Sequence, residues 1–549
     1  MHPEFICLFL LTYYFCFLDT LAIYDKQVRL YFSTNIHKNE EQNTLKNFDD
    51  EYKGQAMSKQ KTIQFTKLFA TLFIASLSAC GGGGNGGGSD NLSLCNNGTG
   101  ACSVTGNNNS NGSTGNSGNG SSTGSTTEIG LPTTYANICT PSVEKTWVRA
   151  HLHDVYYWYK QIVEVPVANY STPQSYFDAL LVKPNDRFSF TADKDEIDGY
   201  FEAGEDVSFG YKLVNQSNKL RVSFVQPNSP ADLQQIKRGA QIVGLNGVPI
   251  EQVNYDNQVA ALYPTSSQTT TKFEIKDNGA STTRIVEMKA TKVTTKPVLQ
   301  NKIITTQDNR RLGYLVFTDH IATASDPLVE SLREFKQQGI DDLVLDLRYN
   351  GGGYIYIANE VASMIAGTKA QGRVFEQLQY NDKHPDWTAE SKFFFTNKSR
   401  SGQDLPQLNL SRVFVLTSAR TCSASESIIN GLAPFVQVII IGGTTCGKPY
   451  GFSQKDNCGT AYFAIEFSGI NDAGTGGYVN GFAATCPASD DLENELGSLN
   501  ERLLANAASY SKSGVCGASG YVPAPSFSIS SSRIIEIDPH PLRNNRIRK

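Results

Sequence analysis

Histidine is scarce in this chain. There are seven in 549 residues, and only His320 follows a strand-like segment in the part of the sequence that reads as an α/β body. The esterase turn GxSxG is absent around the one serine cluster that otherwise invites it, so a conventional serine–histidine site has little to stand on. No CxxC pair occurs, and no histidine follows a cysteine closely, which excludes a structural zinc site. Basic runs are missing ahead of the short stretch "PLRNNRIRK", and with a formal charge of -5 nothing points to nucleic acid. Gly442, Gly447 and Lys448 fit the start of a phosphate-binding loop, but Pro449 stands where a magnesium-holding Ser or Thr is required, which excludes a nucleotide. The apolar run Phe5–Leu18 is too short to span a bilayer comfortably.

What is present begins at Met57. "MSKQKTIQFTKLFATLFIASLSAC" has a basic start, an apolar run and small residues before Cys80, the layout of an export signal. Its ending resembles the lipobox of bacterial lipoproteins. That resemblance implies a lipidated Cys80 and, with Gly81 behind it, an anchor in the outer membrane facing the periplasm. On this reading residues 57–79 are the signal and residues 1–56 are upstream sequence; the alternative takes Phe5–Leu18 as the signal. Residues 80–128, rich in Gly, Ser and Asn, have nothing to bury and read as a tether. Eight cysteines lie beyond Cys80, an even number that favours disulfides in an exported chain, and eight cysteines allow 105 pairings.

Residues 129–205 read as a small helical domain, with Val148, Leu152, Val155, Tyr156 and Tyr159 on one face. Residues 206–294 read as short strands, and "LRVSFVQPNSPADLQQIKRGAQIVGLNGVPI" resembles the core of a PDZ domain, with an Asn246–Gly247 hairpin turn. The resemblance implies that "SFGYKL" receives a peptide C-terminus on the backbone N–H groups of Phe209, Gly210 and Tyr211. Residues 295–520 alternate buried strands with helices: "RLGYLVF", "DDLVLDL", "SRVFVLTS" and "FVQVIIIGG" are strands of a covered sheet, and a helix is expected over 492–508. Residues 521–549 read as a tail.

"TSARTCSASESIING" lies at the carboxyl end of one such strand, where open α/β sheets carry their sites. Three of its four serines compete at the helix start. Ser423 is last before the helix, Ser425 and Ser427 fall on it, and any of them also suits a helix cap. A serine needs a base. His320 is one candidate. Lys448, beyond the next strand, is the other, provided burial brings its pKa from about 10.4 to roughly 7 to 8.

"TCSASE" with "TTCGKPYGF", preceded by "DLRYNGGG", resembles the C-terminal processing peptidases, serine peptidase family S41. The resemblance implies an α/β catalytic body of the ClpP/crotonase type joined to the PDZ-like and helical parts. It also implies a Ser–Lys dyad whose members stand 25 positions apart. Ser423 and Lys448 have that separation and Ser425 does not. The implied oxyanion hole is the amide of Ala424 with that of Gly352 or Gly353, and no cofactor or metal is called for. Protein or peptide substrates with accessible C-termini are the implied partners. One departure stands out: the family's glutamine four residues after the lysine is Phe452 here, with Gln454 as a nearby substitute. Both active turns carry a cysteine, so a Cys422–Cys446 disulfide would clamp the dyad. The rival readings are a catalytically inactive, lipid-anchored PDZ scaffold and a Ser–His esterase or amidase using His320.

Overall fold

A computed structural model describes residues 129–517 and the pair 546–547. The expectations for residues 1–56, the signal, Cys80, the tether, Cys95, Cys102 and most of the tail lie outside the described residues. Among the described residues no helix is long and apolar enough to cross a membrane.

The body is organised on a six-stranded sheet. Its order runs Val298–Thr305, Arg311–Phe317, Asp342–Asp346, Arg412–Thr417, Gln437–Gly442 and Cys486–Pro487, all parallel except the first strand. Helices Ser325–Gln338, Ile355–Ala366, Ala424–Leu432 and Arg502–Ser513 cover it. Both faces of the four inner strands are therefore buried, which is why these segments are nearly continuous in Val, Ile, Leu and Phe. Four consecutive carboxyl ends of the parallel strands lead toward His320, Arg348–Gly353, Ser423 and Lys448. Side chains grouped by the sheet in this way are separated by up to 128 positions in sequence (320 to 448).

The N-terminal helices Pro141–Val155 and Pro173–Leu180 pack into the same apolar core as the body, with Trp147, Tyr156, Phe177 and Leu180 beside Phe452, Tyr462 and Phe463. The strand Phe190–Asp193 then pairs antiparallel with Thr460–Phe463, and Cys139 is bonded to Cys458. This attachment carries residues 186–190 to the base of the lysine turn.

Strands Tyr211–Gln216, Lys219–Val225, Gln241–Leu245, Thr270–Lys276 and Arg284–Lys289, in that order, form a separate sheet with its own core around Phe209, Val222, Ile242 and Phe273. The tight turn expected at Asn246–Gly247 is present, with positive φ at both residues (52° and 83°).

The helix expected over 492–508 starts later, at Arg502. Glu501 caps it, accepting from the N–H groups of Leu503 and Leu504. Residues 490–494 are held as a loop because Arg238 takes the Asp490 carboxylate and the carbonyls of Asp491 and Asn494. Polar capture of the backbone overrides the apolar spacing that suggested a longer helix.

Candidate active site

Ser423 occupies the turn between the strand Arg412–Thr417 and the helix Ala424–Leu432, with φ 63° and ψ -116°. A non-glycine residue in that region costs on the order of 1–3 kcal/mol and persists only where its surroundings impose it. They do so here by taking up the main-chain N–H groups of the turn. Cys422 N–H donates to Asn350 O (3.2 Å), Ser425 N–H to Cys422 O (3.1 Å), and Ser423 N–H to Glu426 Oε2 (2.9 Å). The three serines are told apart by their hydroxyls. Ser425 Oγ donates to Asn350 O and Ser427 Oγ to Ser423 O, whereas Ser423 Oγ is buried and makes no hydrogen bond. The lysine therefore does not hydrogen-bond this hydroxyl in the structure; such bonds often tighten only when substrate arrives.

Lys448 is 0 % exposed. Burial brings its pKa down to about 7, against the opposing pull of Asp186 and Glu426. Its amine lies 4.4 Å from the centre of the Phe452 ring and 5.1 Å from that of Phe188. The residue at the family's glutamine position is thus part of the lysine's apolar wall. Gln454 does not take over the glutamine's role: its amide nitrogen donates to Asp198 (2.8 Å) and Asp456 (2.9 Å), so it is turned to the neighbouring surface by two carboxylates.

The turn Asn350–Gly353 leaves the middle of the sheet. Gly352 N–H donates to Asn350 Oδ1 at 2.9 Å, while Gly353 has φ 136° and a Cβ there would meet His320 O at 2.3 Å. Of the two candidate oxyanion amides, that of Gly352 is already engaged. His320 supports this turn: its Nδ1 bonds Asn350 Oδ1 (2.9 Å) and its N–H donates to Gly352 O (3.1 Å). Burial holds its pKa down to about 3, so it is neutral, and its Nε2 makes no hydrogen bond to Ser423 or any other described residue.

Three residues important to this geometry went unnoticed in the sequence. Glu426, fully buried, accepts from Ser423 N–H, Gly447 N–H (2.8 Å), Lys448 N–H (2.9 Å) and the Thr445 hydroxyl (2.6 Å). One carboxylate therefore joins the serine turn to the lysine turn. Its signal was legible as Ser423-x-x-Glu426, a capping-box spacing. The other two, Asp186 and Phe188, carried no local signal. Asp186 Oδ1 accepts from the N–H groups of Phe188 and Ser189, Oδ2 from the Tyr156 hydroxyl, and Arg187 donates to Cys446 O. The two turns are also joined covalently by Cys422–Cys446, whose Cα atoms are 5.2 Å apart, and by Cys446 N–H to Thr421 O (3.0 Å). A third disulfide links Cys486 and Cys516.

In the separate β-sheet, Tyr211–Gln216 is an edge strand, and the helix Tyr255–Leu262 lies against the strand Thr270–Lys276. Phe209 is buried in the core, Gly210 has φ 80° with Ser229 pressed against it, and the Tyr211 hydroxyl donates to Leu262 O (3.0 Å). Arg238 connects this unit to the active turn. It donates to the Tyr349 hydroxyl (2.6 Å) and pairs with Asp490 (2.8 Å), which also takes buried Arg348 (2.9 Å). Arg348 in turn is held by Asp346 and Glu501.

Comparison with known proteins gives this arrangement a context. Residues 311–456 match the model of peptidase family S41, residues 144–190 that of the S41 N-terminal domain, and residues 201–276 that of the PDZ domain. A carboxyl-terminal-processing protease of Picosynechococcus is 25% identical over 229 residues, 42% of this chain and 50% of that protein. The chloroplastic carboxyl-terminal-processing peptidase 1 of Arabidopsis thaliana is 22% identical over 56% of this chain and 63% of its own length. The chain spans about half the length of the first curated relatives it matches. Among solved structures, a Bacteroides fragilis protein assigned to the S41 proteases superposes with a TM-score of 0.54 at 25% identity, covering 67% of this chain and 97% of its own.

Proposed function

From a chain that carries the S41 peptidase domain together with that family's N-terminal domain and a PDZ domain, we propose a serine endopeptidase acting through Ser423 and Lys448. The observation that carries this is an amine buried to a pKa of about 7, on a turn tied by Glu426 and by a disulfide to the turn of a strained serine. Such an amine is about half neutral at pH 7, the state in which it can accept a proton.

In the proposed reaction neutral Lys448 takes the Ser423 proton as Oγ attacks the scissile carbonyl. The amides of Ala424 and Gly353 receive the oxyanion, each donor contributing roughly 3–4 kcal/mol. The lysine ammonium then protonates the leaving amine, and water repeats the sequence on the acyl-enzyme. Upstream of this chemistry, the edge strand Tyr211–Gln216 accepts a substrate C-terminus as an added strand, with its carboxylate at Phe209–Tyr211. A tagged, unstructured protein is expected to be digested by the wild type and left intact by Ser423→Ala, with kcat lower by about a millionfold. Equal digestion by both proteins would remove Ser423 from the mechanism.

The same reading places the enzyme outside the cytoplasm, lipid-anchored through Cys80. Three disulfides among the described residues support an oxidising compartment. Labelling with a fatty-acid analogue in a bacterial host is expected for the wild type and not for Cys80→Ala; equal labelling of the two would overturn the anchor.

A further inference from the structure

The strand Gly353–Tyr354 leaves the oxyanion turn with two edges. On one side it is bridged to His320, with Tyr354 N–H donating to His320 O at 2.8 Å. The other side is not left to solvent. Residues Arg546–Ile547 of the same chain pair with it in parallel, Gly353 opposite Arg546 and Tyr354 opposite Ile547. Tyr450–Gly451, two residues past Lys448, has Cα atoms within 8 Å of the same segment. A strand of this chain therefore runs between the segment that follows the oxyanion turn and the segment that follows the proposed base.

The interaction is one of main chain with main chain, the mode in which an extended peptide adds to a sheet edge. It makes no demand on a particular side chain, so the edge suits any extended polypeptide and the two-residue pairing is weak by itself. Tethering changes that. In sequence, 28 residues (518–545) separate Gly517 from Arg546, so this strand is covalently joined to the body it pairs with. A segment held in this way acts at an effective concentration in the millimolar range.

We propose that the segment containing Arg546–Ile547 is a built-in competitor of substrate, docking as an added strand on Gly353–Tyr354 beside the oxyanion turn until a protein substrate displaces it. This rests on the peptidase reading above. A substrate already captured by its C-terminus on the PDZ unit is itself tethered, and so meets the competitor on equal terms, whereas a free peptide does not. The device would thus favour substrates that engage both sites.

The test compares the full-length chain with its Ile547→Pro variant, in which the backbone donor at 547 is removed. For a disordered protein substrate, KM is expected to fall about three- to tenfold in the variant, with kcat unchanged. A synthetic peptide of residues 541–549 should inhibit the variant competitively, and the same peptide carrying Ile547→Pro should not. Identical KM values, with no inhibition by the peptide, would overturn the proposal. A binding measurement separates this from the peptidase reading. Fluorescently labelled 541–549 is expected to bind Ser423→Ala/Ile547→Pro at least threefold more tightly than Ser423→Ala alone, where the tethered copy blocks the edge. If the wild type digests nothing, the peptidase reading fails, and this anisotropy difference still decides the docking; equal affinities reject it.

Discussion

Lys448→Met is expected to reduce turnover by about ten-thousandfold while making the fold more stable at neutral pH. The two effects have one cause. The folded amine titrates at about 7 and the unfolded amine near 10.4. Between those values the unfolded chain holds a proton that the folded chain does not. Stability therefore rises with pH across that window and is lowest, relative to a chain without the amine, at pH 7 and below. Each unit of displacement is worth about 1.4 kcal/mol, so the gain on substitution reaches several kcal/mol near pH 7 and vanishes above about pH 10.5. Methionine suits the site, being long, apolar and compatible with the rings of Phe188 and Phe452. Chemical denaturation of both proteins at pH 6.5, 8.5 and 10.5 would measure the converging curves. A variant no more stable than wild type at pH 6.5 would mean that the amine is not desolvated in the folded protein.

The kinetic half of the same prediction separates lysine from histidine. Wild-type kcat/KM should rise through pH 7 and level off above it, as the free amine forms. His320→Ala should weaken the enzyme, because it removes a partner of Asn350 at the oxyanion turn, yet leave that rise in place. If His320→Ala removes turnover while Lys448→Met retains it, the assignment of the base is wrong.

The second large effect concerns the disulfide. Replacing both Cys422 and Cys446 by serine is expected to lower kcat by about 10- to 100-fold with KM nearly unchanged. Ser423 holds a φ of 63° that it does not prefer, and the bond beside it constrains that conformation. A disulfide closing a loop of this size (24 residues of separation) is worth about 3 kcal/mol against unfolding, and its loss here falls on the catalytic turns. Glu426 still spans the two turns in the variant, which is why a residual rate is expected. Reductant distinguishes a local from a general effect. It should slow the wild type by a larger factor than the double variant, in which only Cys139–Cys458 and Cys486–Cys516 remain to be opened. If kcat is unaffected by the two substitutions, the bond is a stabiliser of the fold only.

The architecture was legible where the physics is local. Continuous apolar runs bounded by glycine turns marked the strands Arg311–Phe317, Asp342–Asp346, Arg412–Thr417 and Gln437–Gly442. The Asn246–Gly247 turn follows from two residues that tolerate positive φ. The expected helix over 492–508 failed because Arg238, more than 250 positions away, captures the loop backbone, an interaction no window of sequence contains. Gln454 was proposed from proximity along the chain, and in the fold two nearer carboxylates take its amide.

The sequence by itself determined that a serine and a lysine lie beyond neighbouring strands, since strand periodicity and turn residues act over a few positions. Only the tertiary structure decided what makes the lysine a base. Its apolar wall includes Phe188, delivered with Asp186 by the N-terminal segment some 260 positions away, and its turn is fastened to the serine by Glu426. A pKa depends on everything that displaces water from an amine, and those neighbours are assembled by packing rather than by adjacency along the chain.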